Sequence, residues 1–358
     1  MTQYKVLVVD DSTFMRNMLK RMIEKDSRFS VIDVAADGRE GVEKAKKLRP
    51  DVITMDVEMP VMSGLEALKE IMAGPRLPVV MVSALTEQGA QTTLEALDLG
   101  AVDFLPKSLS DKEKNVFKAG DILHEKLAAA ASVKNFMDGR TPVATPSKPV
   151  APPPRPQPAP ATAPRRVGPI QAIVVGASTG GPKALQVFVA GLPPTLNIPV
   201  FIAQHMPAHF TGALAKRLHD CTPLDVLEAQ HRMPVKPGHI YLAPGEQHMR
   251  VTGRPGEASL TIRPDKGESV FKPSVNVLAQ SVAEVYKNQV LGVMMTGMGN
   301  DGAQAFADMH QAGATTLAQD QATSVVYGMP RAVAEMNAAT EILALDELGA
   351  RVGELVKS

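Results

Sequence analysis

The sequence predicts an α/β protein made of two doubly wound parallel-sheet domains joined by a proline-rich linker. Short apolar runs alternate with helical segments up to about residue 134, and the alternation resumes near residue 168. Residues 141–164 are rich in proline and alanine, cannot supply side chains for a core and favour extended polyproline II. At 358 residues the chain is also too long for one ordinary domain. We therefore predict domains at 1–125 and 168–358, with 126–167 as the linker.

In the first domain, strand and helix signals follow each other in strict alternation. The predicted strands are 5–9, 31–35, 52–55, 79–82 and 103–105. The predicted helices are 14–25, 39–48, 65–72, 87–99 and 112–130. Repeated β-α units of this kind imply a parallel sheet covered on both faces, whose functional groups collect beyond the carboxyl ends of the strands.

Polar side chains follow the predicted strands of this first sheet at those carboxyl ends. They are Asp10 and Asp11 after the first strand, Asp56 after the third, Ser83 after the fourth and Lys107 after the fifth. Three carboxylates in one place repel each other unless a cation joins them, and oxygen ligands suit Mg²⁺. A lysine and a hydroxyl across the same pocket can hold a phosphoryl oxygen. The plainer alternative makes the aspartates a helix cap and the lysine a surface charge, but all five together favour a phosphoryl site.

The second domain repeats the alternation, with an antiparallel excursion in its middle. Its predicted strands are 172–176, 200–203, 224–227, 240–243, 290–295 and 315–318, and its predicted helices are 183–189, 210–219, 275–286 and 304–311. Residues 249–252 and 260–263, separated by GRPGEAS, suggest a hairpin. This pattern again predicts a largely parallel α/β sheet.

The stretch GASTG, which places Ser178 between the first strand and the first helix of this domain, matches the G-x-S-x-G elbow. Glycines allow a tight bend and leave room for an incoming carbonyl. The following helix points free N–H groups and its positive dipole end at the turn, which suits an oxyanion. A phosphate-binding turn or a plain glycine-rich connection would give the same five letters.

A nucleophilic serine needs a base within reach and an acid that orients the base. His205 follows an apolar strand and so lies on the same sheet edge as the serine, with His209 as the runner-up. For the acid, Asp301 lies in the glycine-rich TGMGND after another strand, whereas Asp320 is the rival and could simply cap a turn. The chain order Ser, His, Asp differs from that of the α/β-hydrolase fold.

Composition excludes several classes of protein. Lys plus Arg and Asp plus Glu both total 38, so no net basic field attracts nucleic acid. The single cysteine, Cys221, cannot form an internal disulfide, which suggests a reducing compartment. The start of the chain lacks a signal-peptide pattern, and no apolar run is long enough to span a membrane. We expect a cytoplasmic protein that binds no nucleic acid and does not insert into membranes.

The motifs VVDDS, MDVEMP, VSALT and DFLPKS together resemble the response-regulator receiver family. The resemblance implies a flavodoxin-like domain in which Asp56 accepts a phosphoryl group from a chemotaxis histidine kinase. The groups that would hold the required Mg²⁺ are Asp11, Asp56 and the backbone carbonyl of Glu58, with Asp10 assisting. Those that would sense the phosphoryl group are Ser83, Lys107 and the switch aromatic Phe104, which could equally be a core residue.

The motifs GASTGG, QHMP, YLAPG, TGMGNDGA and YGMPR resemble the catalytic domain of chemotaxis protein-glutamate methylesterases. The resemblance implies a Rossmann-like domain with Ser178, His205 and Asp301 as its triad and no cofactor for the esterase reaction. The backbone N–H of Thr179, joined by one near Met298, would hold the oxyanion. The implied substrates are methylated glutamates, and glutamines, on the cytoplasmic domains of chemoreceptors, so that the protein would work at receptor clusters.

Other classes remain open from the residues alone. They are a DNA-binding output domain, a phosphorylation-gated binding module without catalysis, and an esterase or amidase for small molecules. A further hypothesis concerns control: the unphosphorylated receiver packs over the Ser178 edge, and phosphorylation of Asp56 loosens that contact.

Overall fold

A computed structural model describes residues 3–107, 116–137, 168–264, 269 and 271–357. The first domain holds a parallel sheet with helices on both faces. Its strands are β1 (Tyr4–Val9), β2 (Phe29–Ala35), β3 (Val52–Asp56), β4 (Val79–Ser83) and β5 (Asp103–Pro106). Its helices are α1 (Thr13–Ile23), α2 (Gly38–Leu48), α3 (Gly64–Ala73), α4 (Glu87–Asp98) and α5 (Val116–Met137). The strand order β2-β1-β3-β4-β5 confirms the predicted doubly wound arrangement.

The ends of these helices agree with local sequence chemistry. Ser12 caps α1, with its hydroxyl accepting a hydrogen bond from the N–H of Met15 at 3.4 Å. Ser63 and Glu66 form a reciprocal capping box at the start of α3. Because Ser12 is the cap of α1, the alternative interpretation of Asp10 and Asp11 as caps is wrong.

The second domain contains a larger parallel sheet of the same kind. The strands of this domain are β6 (Ala172–Ala177), β7 (Val200–Gln204), β8 (Asp225–Glu228), β9 (His239–Leu242), β10 (Gln247–Thr252), β11 (Ser259–Pro264), β12 (Val290–Met294), β13 (Thr315–Gln319) and β14 (Glu341–Leu343). Its helices are α6 (Gly181–Ala190), α7 (Ala208–His219), α8 (Val275–Tyr286), α9 (Ala303–Gln311), α10 (Met329–Glu335) and α11 (Leu345–Lys357). The order β14-β13-β12-β6-β7-β9-β8 is parallel throughout, and β10 and β11 form the predicted antiparallel hairpin.

Sequence patterns did not identify the three elements at the end of this domain. α10 is only seven residues long and β14 only three, so neither shows a full period of its pattern. α11 is amphipathic, and it buries Leu348 and Val352 together with two glycines that permit close packing on α6. These elements extend one edge of the sheet and leave the predicted architecture unchanged.

The chain order reverses at the middle of the large sheet, and this reversal positions the candidate site. From β6, the strands run through β7 and β9 on one side and through β12 and β13 on the other. In open α/β sheets, ligands bind beyond the carboxyl ends of the strands at such a switch point. The loops after β6, β7 and β12 carry the predicted serine, histidine and aspartate.

The predicted linker falls largely outside the described residues. The predicted boundary between 125 and 126 lies inside α5, which continues to Met137, whereas residues 141–164 are among those not described. Of the helices in the described ranges, none combines the length and apolar character that a membrane crossing requires.

Candidate active site and phosphoryl pocket

Three side chains that are far apart in the sequence form a continuous relay at the switch point. The hydroxyl oxygen of Ser178 lies 3.2 Å from Nδ1 of His205. The other ring nitrogen, Nε2, lies 2.8 Å from Oδ2 of Asp301. Both distances are within hydrogen-bond reach, so the predicted nucleophile, base and acid touch in a row.

The turn after β6 holds the serine in a fixed position. The N–H of Ser178 donates to the carbonyl of Thr296 at 3.0 Å, and the N–H of Gly181 donates to the carbonyl of Ser178 at 2.8 Å. Gly180 has φ 77° and ψ −8°, the angles of the third residue of a type II turn, which favour glycine. A Cβ at Gly180 would also lie 2.6 Å from Cβ of Val325. The glycine is therefore required by both conformation and space.

The acid of the relay is held at the start of α8. The carboxylate of Asp301 accepts hydrogen bonds from the hydroxyl of Ser274 at 2.9 Å and from the N–H groups of Val275 and Asn276 at 2.6 and 3.2 Å. Ser274 is also the N-cap of α8. A carboxylate at a helix N-terminus is favoured by the free N–H groups and by the dipole.

The environment of Asp301 keeps it ionised. Burial alone would raise its pKa, but hydrogen bonding to His205 and the charge of that ring act against burial, as do the two helix N–H groups. The net result is a pKa below the ordinary value. Asp301 is therefore suited to orient an imidazole and to stabilise the cation that forms when the imidazole takes a proton.

An aromatic ring covers one face of the imidazole. Phe271 stacks on His205 with ring centroids 4.5 Å apart and an angle of 3° between the planes. The contact restricts rotation of the imidazole and shields it from water on that side. No pattern in the sequence indicated Phe271, because it lies in a loop before α8 with no motif of its own.

Backbone donors near the serine are available for an oxyanion. Within the described part of the chain, the N–H groups of Thr179 and Met298 donate to no protein acceptor, whereas that of Ser178 is used by Thr296. The turn that carries Thr179 leads directly into the N-terminus of α6. A backbone oxyanion site needs unused donors of this kind, and Thr179 and Met298 remain the predicted ones.

The rival residues lie apart from the relay. His209 is exposed on α7. Asp320 accepts hydrogen bonds from the N–H and the hydroxyl of Thr323, at 2.9 and 2.5 Å, and so closes a turn after β13. The geometry therefore favours His205 and Asp301.

The other predicted pocket lies at the switch point of the first sheet. Carboxylate oxygens of Asp10, Asp11 and Asp56 all lie within 4.8 Å of one another. Nζ of Lys107 is 2.5 Å from Oδ2 of Asp56 and 3.6 Å from Oδ2 of Asp10. Burial raises the pKa of Asp56 to about 6, with Lys107 opposing the rise and Asp10 adding to it.

The residues of this pocket fit a magnesium ion. Oδ2 of Asp10 is fully buried and accepts no hydrogen bond within the described residues, although Lys107 is near enough for an ion pair. Burial also raises the pKa of Asp10, mostly because its charge is removed from water. A divalent cation bound by the carboxylate oxygens of Asp10, Asp11 and Asp56 would supply the missing partner of Asp10 and balance the buried charges of Asp10 and Asp56. Glu58, whose carbonyl is the remaining predicted ligand, lies on the loop that follows β3. Its N–H donates to Oδ1 of Asp56 at 3.4 Å.

Two of the predicted sensing residues have their recorded contacts with groups other than Asp56. The hydroxyl of Ser83 donates to the carbonyls of Ala84 and Gly89, both at 3.3 Å. Phe104 is buried and packs against Phe210 of the second domain, with ring centroids 4.4 Å apart. Of the three predicted sensing residues, Lys107 is the one with a recorded contact to Asp56 in the described part of the chain.

Contacts between the domains reach the turn that carries the predicted nucleophile. Oδ2 of Asp103, at the start of β5, accepts a hydrogen bond from the hydroxyl of Thr179 at 2.5 Å. At the end of α4, the carboxylate of Asp98 accepts a hydrogen bond from the amide of Gln186 at 2.9 Å and pairs with the guanidinium of Arg217. The first domain thus holds the residue next to Ser178. No sequence pattern indicated a role for Asp98 or Asp103, because each looks like an ordinary surface or strand-end carboxylate.

Comparisons with known proteins cover almost the whole chain. Residues 6–115 match the family model for the response regulator receiver domain, and residues 173–352 match the model for CheB methylesterase. A Vibrio vulnificus protein called protein-glutamate methylesterase/protein-glutamine glutaminase 1 is 45% identical over 369 residues, which cover 97% of each chain. A Bacillus licheniformis relative, called protein-glutamate methylesterase/protein-glutamine glutaminase, is 42% identical over 99% of this chain and 98% of its own. The crystal structure of the Thermotoga maritima CheB methylesterase catalytic domain is similar with a TM-score of 0.50 and 35% identity, covering 52% of this chain and 98% of that one.

Proposed function

We propose that Ser178, His205 and Asp301 perform the chemistry of this chain, which belongs to the CheB methylesterase family. A response regulator receiver domain precedes its methylesterase domain. The activity is the phosphorylation-regulated hydrolysis of glutamate methyl esters in a protein, together with hydrolysis of glutamine side chains. The observation that carries the residue assignment is the unbroken relay from the hydroxyl of Ser178 through the imidazole to the carboxylate of Asp301.

The relay supports acyl transfer in two steps. Nδ1 of His205 takes the proton of the Ser178 hydroxyl as the oxygen attacks the ester carbonyl. His205 then returns that proton to the departing methoxide, which leaves as methanol. The glutamyl group remains bound to Ser178 as an ester. Water, activated by the same imidazole, releases the glutamate side chain and restores the serine. Asp301 holds the ring and stabilises its cationic form throughout.

The carbonyl oxygen gains negative charge during both attacks. We assign its stabilisation to the N–H of Thr179, with that of Met298 as the second donor, since neither is used elsewhere in the described residues. A well-placed donor of this kind is typically worth about 3–4 kcal/mol. A glutamine amide presents the same geometry with a poorer leaving group, so the same groups serve deamidation, with ammonia leaving in place of methanol.

The substrate we propose is the methylated helical region of a chemoreceptor, and the phosphodonor is a chemotaxis histidine kinase. Asp56 would accept the phosphoryl group. Mg²⁺, held by Asp10, Asp11, Asp56 and the carbonyl of Glu58, would neutralise charge around that group. Lys107 already contacts the acceptor carboxylate and would pair with the phosphoryl oxygens. Such a protein would act beside clustered receptors.

Control of the esterase follows from the contacts between the domains. The receiver contacts the turn next to Ser178 through Asp103 and Thr179, which supports the hypothesis that the unphosphorylated receiver restricts access of a bulky helix. A phosphoryl group adds roughly two negative charges at Asp56 and would withdraw Lys107 from its present partners. Ser83 would then turn toward the phosphoryl group and free its space beside α4, weakening the interface.

Methanol release from methylated receptor membranes tests the proposal. We expect the wild-type chain to release methanol faster when a small phosphodonor and Mg²⁺ are supplied, and Ser178→Ala to release none under either condition. Asp56→Asn should keep the basal rate and lose the stimulation. Equal release by wild type and Ser178→Ala would reject the proposed nucleophile, and isolated residues 168–358 that are no faster than the unphosphorylated full chain would reject the blocking hypothesis.

A further inference from the structure

A buried amide lies between the nucleophile and the base. Gln204 is the last residue of β7 and directly precedes His205, and only 1% of it is exposed. Its Nε2 donates hydrogen bonds to the backbone carbonyl of Ser178 at 2.9 Å and to that of His205 at 3.1 Å. One side-chain NH₂ group therefore ties together the two backbone segments that carry the hydroxyl and the imidazole.

The bond to Ser178 also supports the turn that carries the proposed oxyanion donor. The carbonyl of Ser178 accepts a second hydrogen bond from the N–H of Gly181, which closes the turn around Thr179 and Gly180. Gln204 pairs with Ala177 in the register of β6 and β7, so its side chain reaches the first residue beyond the strand. Displacing the amide would loosen the turn and change the distance between Ser178 and His205 together.

The surroundings admit this amide in one orientation only. With NH₂ toward the two carbonyls, Oε1 is fully buried and has no hydrogen-bond partner among the described residues. Rotating the amide by half a turn would place Oε1 against two carbonyl oxygens. A Cβ at Gly181 would lie 1.9 Å from Oε1, so α6 must begin with glycine to leave room for it.

A buried acceptor without a partner lowers the stability of the fold, because its hydrogen bond to water is lost and not replaced. An apolar side chain of similar volume would avoid that cost at a position otherwise surrounded by core. A buried polar group that lowers the stability of the fold is expected at sites where function depends on that group. The two bonds donated by Nε2 show what that function requires, which is a fixed spacing of the nucleophile, the base and the oxyanion turn.

We infer that Gln204 is a positioning residue for the hydrolytic reaction, holding Ser178 and His205 at reacting distance through their backbone carbonyls. The inference rests on the proposed function of Ser178 and His205. Gln204 itself touches no reacting atom, so it acts on the rate of the chemical steps and leaves binding of the protein substrate unchanged.

The test compares full-length variants in the presence of a small phosphodonor and Mg²⁺. Gln204→Leu removes both hydrogen bonds at similar volume, and Gln204→Glu replaces the NH₂ by an oxygen that faces two carbonyls. We expect each to lower kcat for methanol release on the order of 10- to 100-fold, because small misplacements of reacting groups have effects of this size. KM should change by less than about twofold. The rate of Ser178 modification by a fluorophosphonate, which needs the activated hydroxyl and no receptor, should fall by the same factor.

Ile202→Val is the matched control, because Ile202 lies two residues earlier on β7, points to the same face and contacts neither Ser178 nor His205 through a hydrogen bond. This change removes one buried methyl group from the core and should leave both rates within about twofold of wild type. Gln204 variants that are modified as fast as Ile202→Val would overturn the inference. Ser178→Ala distinguishes a failure of the Gln204 inference from a failure of the proposed function. Fluorophosphonate labelling that persists in this variant rejects Ser178 as the nucleophile.

A measurement on the unmodified sequence covers the case in which both Gln204 variants unfold. In the ¹⁵N-labelled full chain, the NH₂ group of Gln204 should exchange slowly with solvent and its resonances should move when the fluorophosphonate reacts with Ser178. Resonances that stay in place after complete reaction would overturn the inference.

Discussion

At the scale of single residues, the site depends on groups that keep one another in a defined charge state and orientation. Asp301 is ionised because three donors and an imidazole surround it, although it is buried. His205 is fixed by that carboxylate on one side and by the ring of Phe271 on one face. Neither effect is visible in the identity of the residue alone, since both come from neighbours.

Replacing Asp301 by asparagine should reveal its lowered pKa as a dependence of stability on pH. A carboxyl with a folded-state pKa below its ordinary value of 3.8 contributes stability above that value and loses it as the pH falls through the folded-state pKa. The difference in unfolding free energy between wild type and Asp301→Asn should therefore shrink as pH drops from about 6 to about 3. Equilibrium denaturation with urea at each pH measures it.

The control for this experiment is Asp308→Asn on α9, where the exposed carboxylate accepts a hydrogen bond, among the described residues, only from the side chain of Gln304. Its effect on unfolding should stay below about 0.5 kcal/mol. A difference for Asp301→Asn that is constant over the whole pH range would contradict the pKa argument.

Phe271→Leu should slow the reaction, because a leucine cannot stack on the imidazole or stabilise its cationic form. An aromatic contact of this kind is worth about 0.5–1.5 kcal/mol, so kcat for methanol release should fall by about two- to tenfold. Phe271→Tyr keeps the ring and should retain nearly the full rate. If the leucine variant turns over as fast as the tyrosine variant, the stack has no part in catalysis.

At the scale of elements, the decisive unit is the strand, turn and helix around Ser178. β6 ends with small residues and the turn requires a positive φ at Gly180, so the chain bends sharply before α6 begins. The register between β6 and β7 places the loop of His205 beside that bend. Both segments sit on strands buried in the sheet, which makes the separation of nucleophile and base a property of the sheet as much as of the loops.

Gly180→Ala should destabilise the protein through both conformation and contact. Left-handed backbone costs alanine about 1–2 kcal/mol, and the new Cβ would lie 2.6 Å from Val325. The matched control is Gly256→Ala in the β10–β11 hairpin, where φ is 86° and nothing lies within 4 Å of a Cβ. Thermal unfolding should show a clearly larger loss for Gly180→Ala, and equal losses would mean that the turn can yield to the added methyl group.

At the scale of the whole molecule, the described parts of the receiver and the methylesterase domain contact each other through polar pairs at Asp98 and Asp103 and through the packing of Phe104 against Phe210. Asp103 holds Thr179 beside the nucleophile, and Asp98 contacts Arg217 and Gln186 on the helices that follow β6 and β7. Both carboxylates lie on α4 and β5. α4 also contacts Ser83 through the carbonyl of Gly89, and Lys107, which pairs with Asp56, directly follows β5. We therefore expect a charge change at Asp56 to act on the esterase turn through these two elements.

Asp98→Ala should raise methanol release by the unphosphorylated full chain, since it removes the pairing with Arg217 and the hydrogen bond from Gln186. An interdomain ion pair that is partly exposed is worth up to about 1 kcal/mol, which corresponds to an increase of up to about fivefold. The control is Glu95→Ala on the same helix, because Glu95 pairs with Lys69 within the receiver. An Asp98→Ala rate equal to that of the control would show that this contact does not restrain the esterase.

The α/β class and the two sheets could be predicted from the sequence, and so could Ser178 and His205 as candidates at one sheet edge. Strand and helix periods are local, and parallel topology forces strand-end residues such as Ser178, His205 and Asp56 to the edges where sites form. Features that depend on contacts between distant segments became visible only in the folded structure. They are the choice of Asp301 over Asp320, the stacking of Phe271 on His205, the hydrogen bonds from Gln204 to the carbonyls of Ser178 and His205, and the hydrogen bond from Thr179 to Asp103. A hydrogen bond between residues far apart in the chain leaves no periodic trace, so only the packed fold could reveal it.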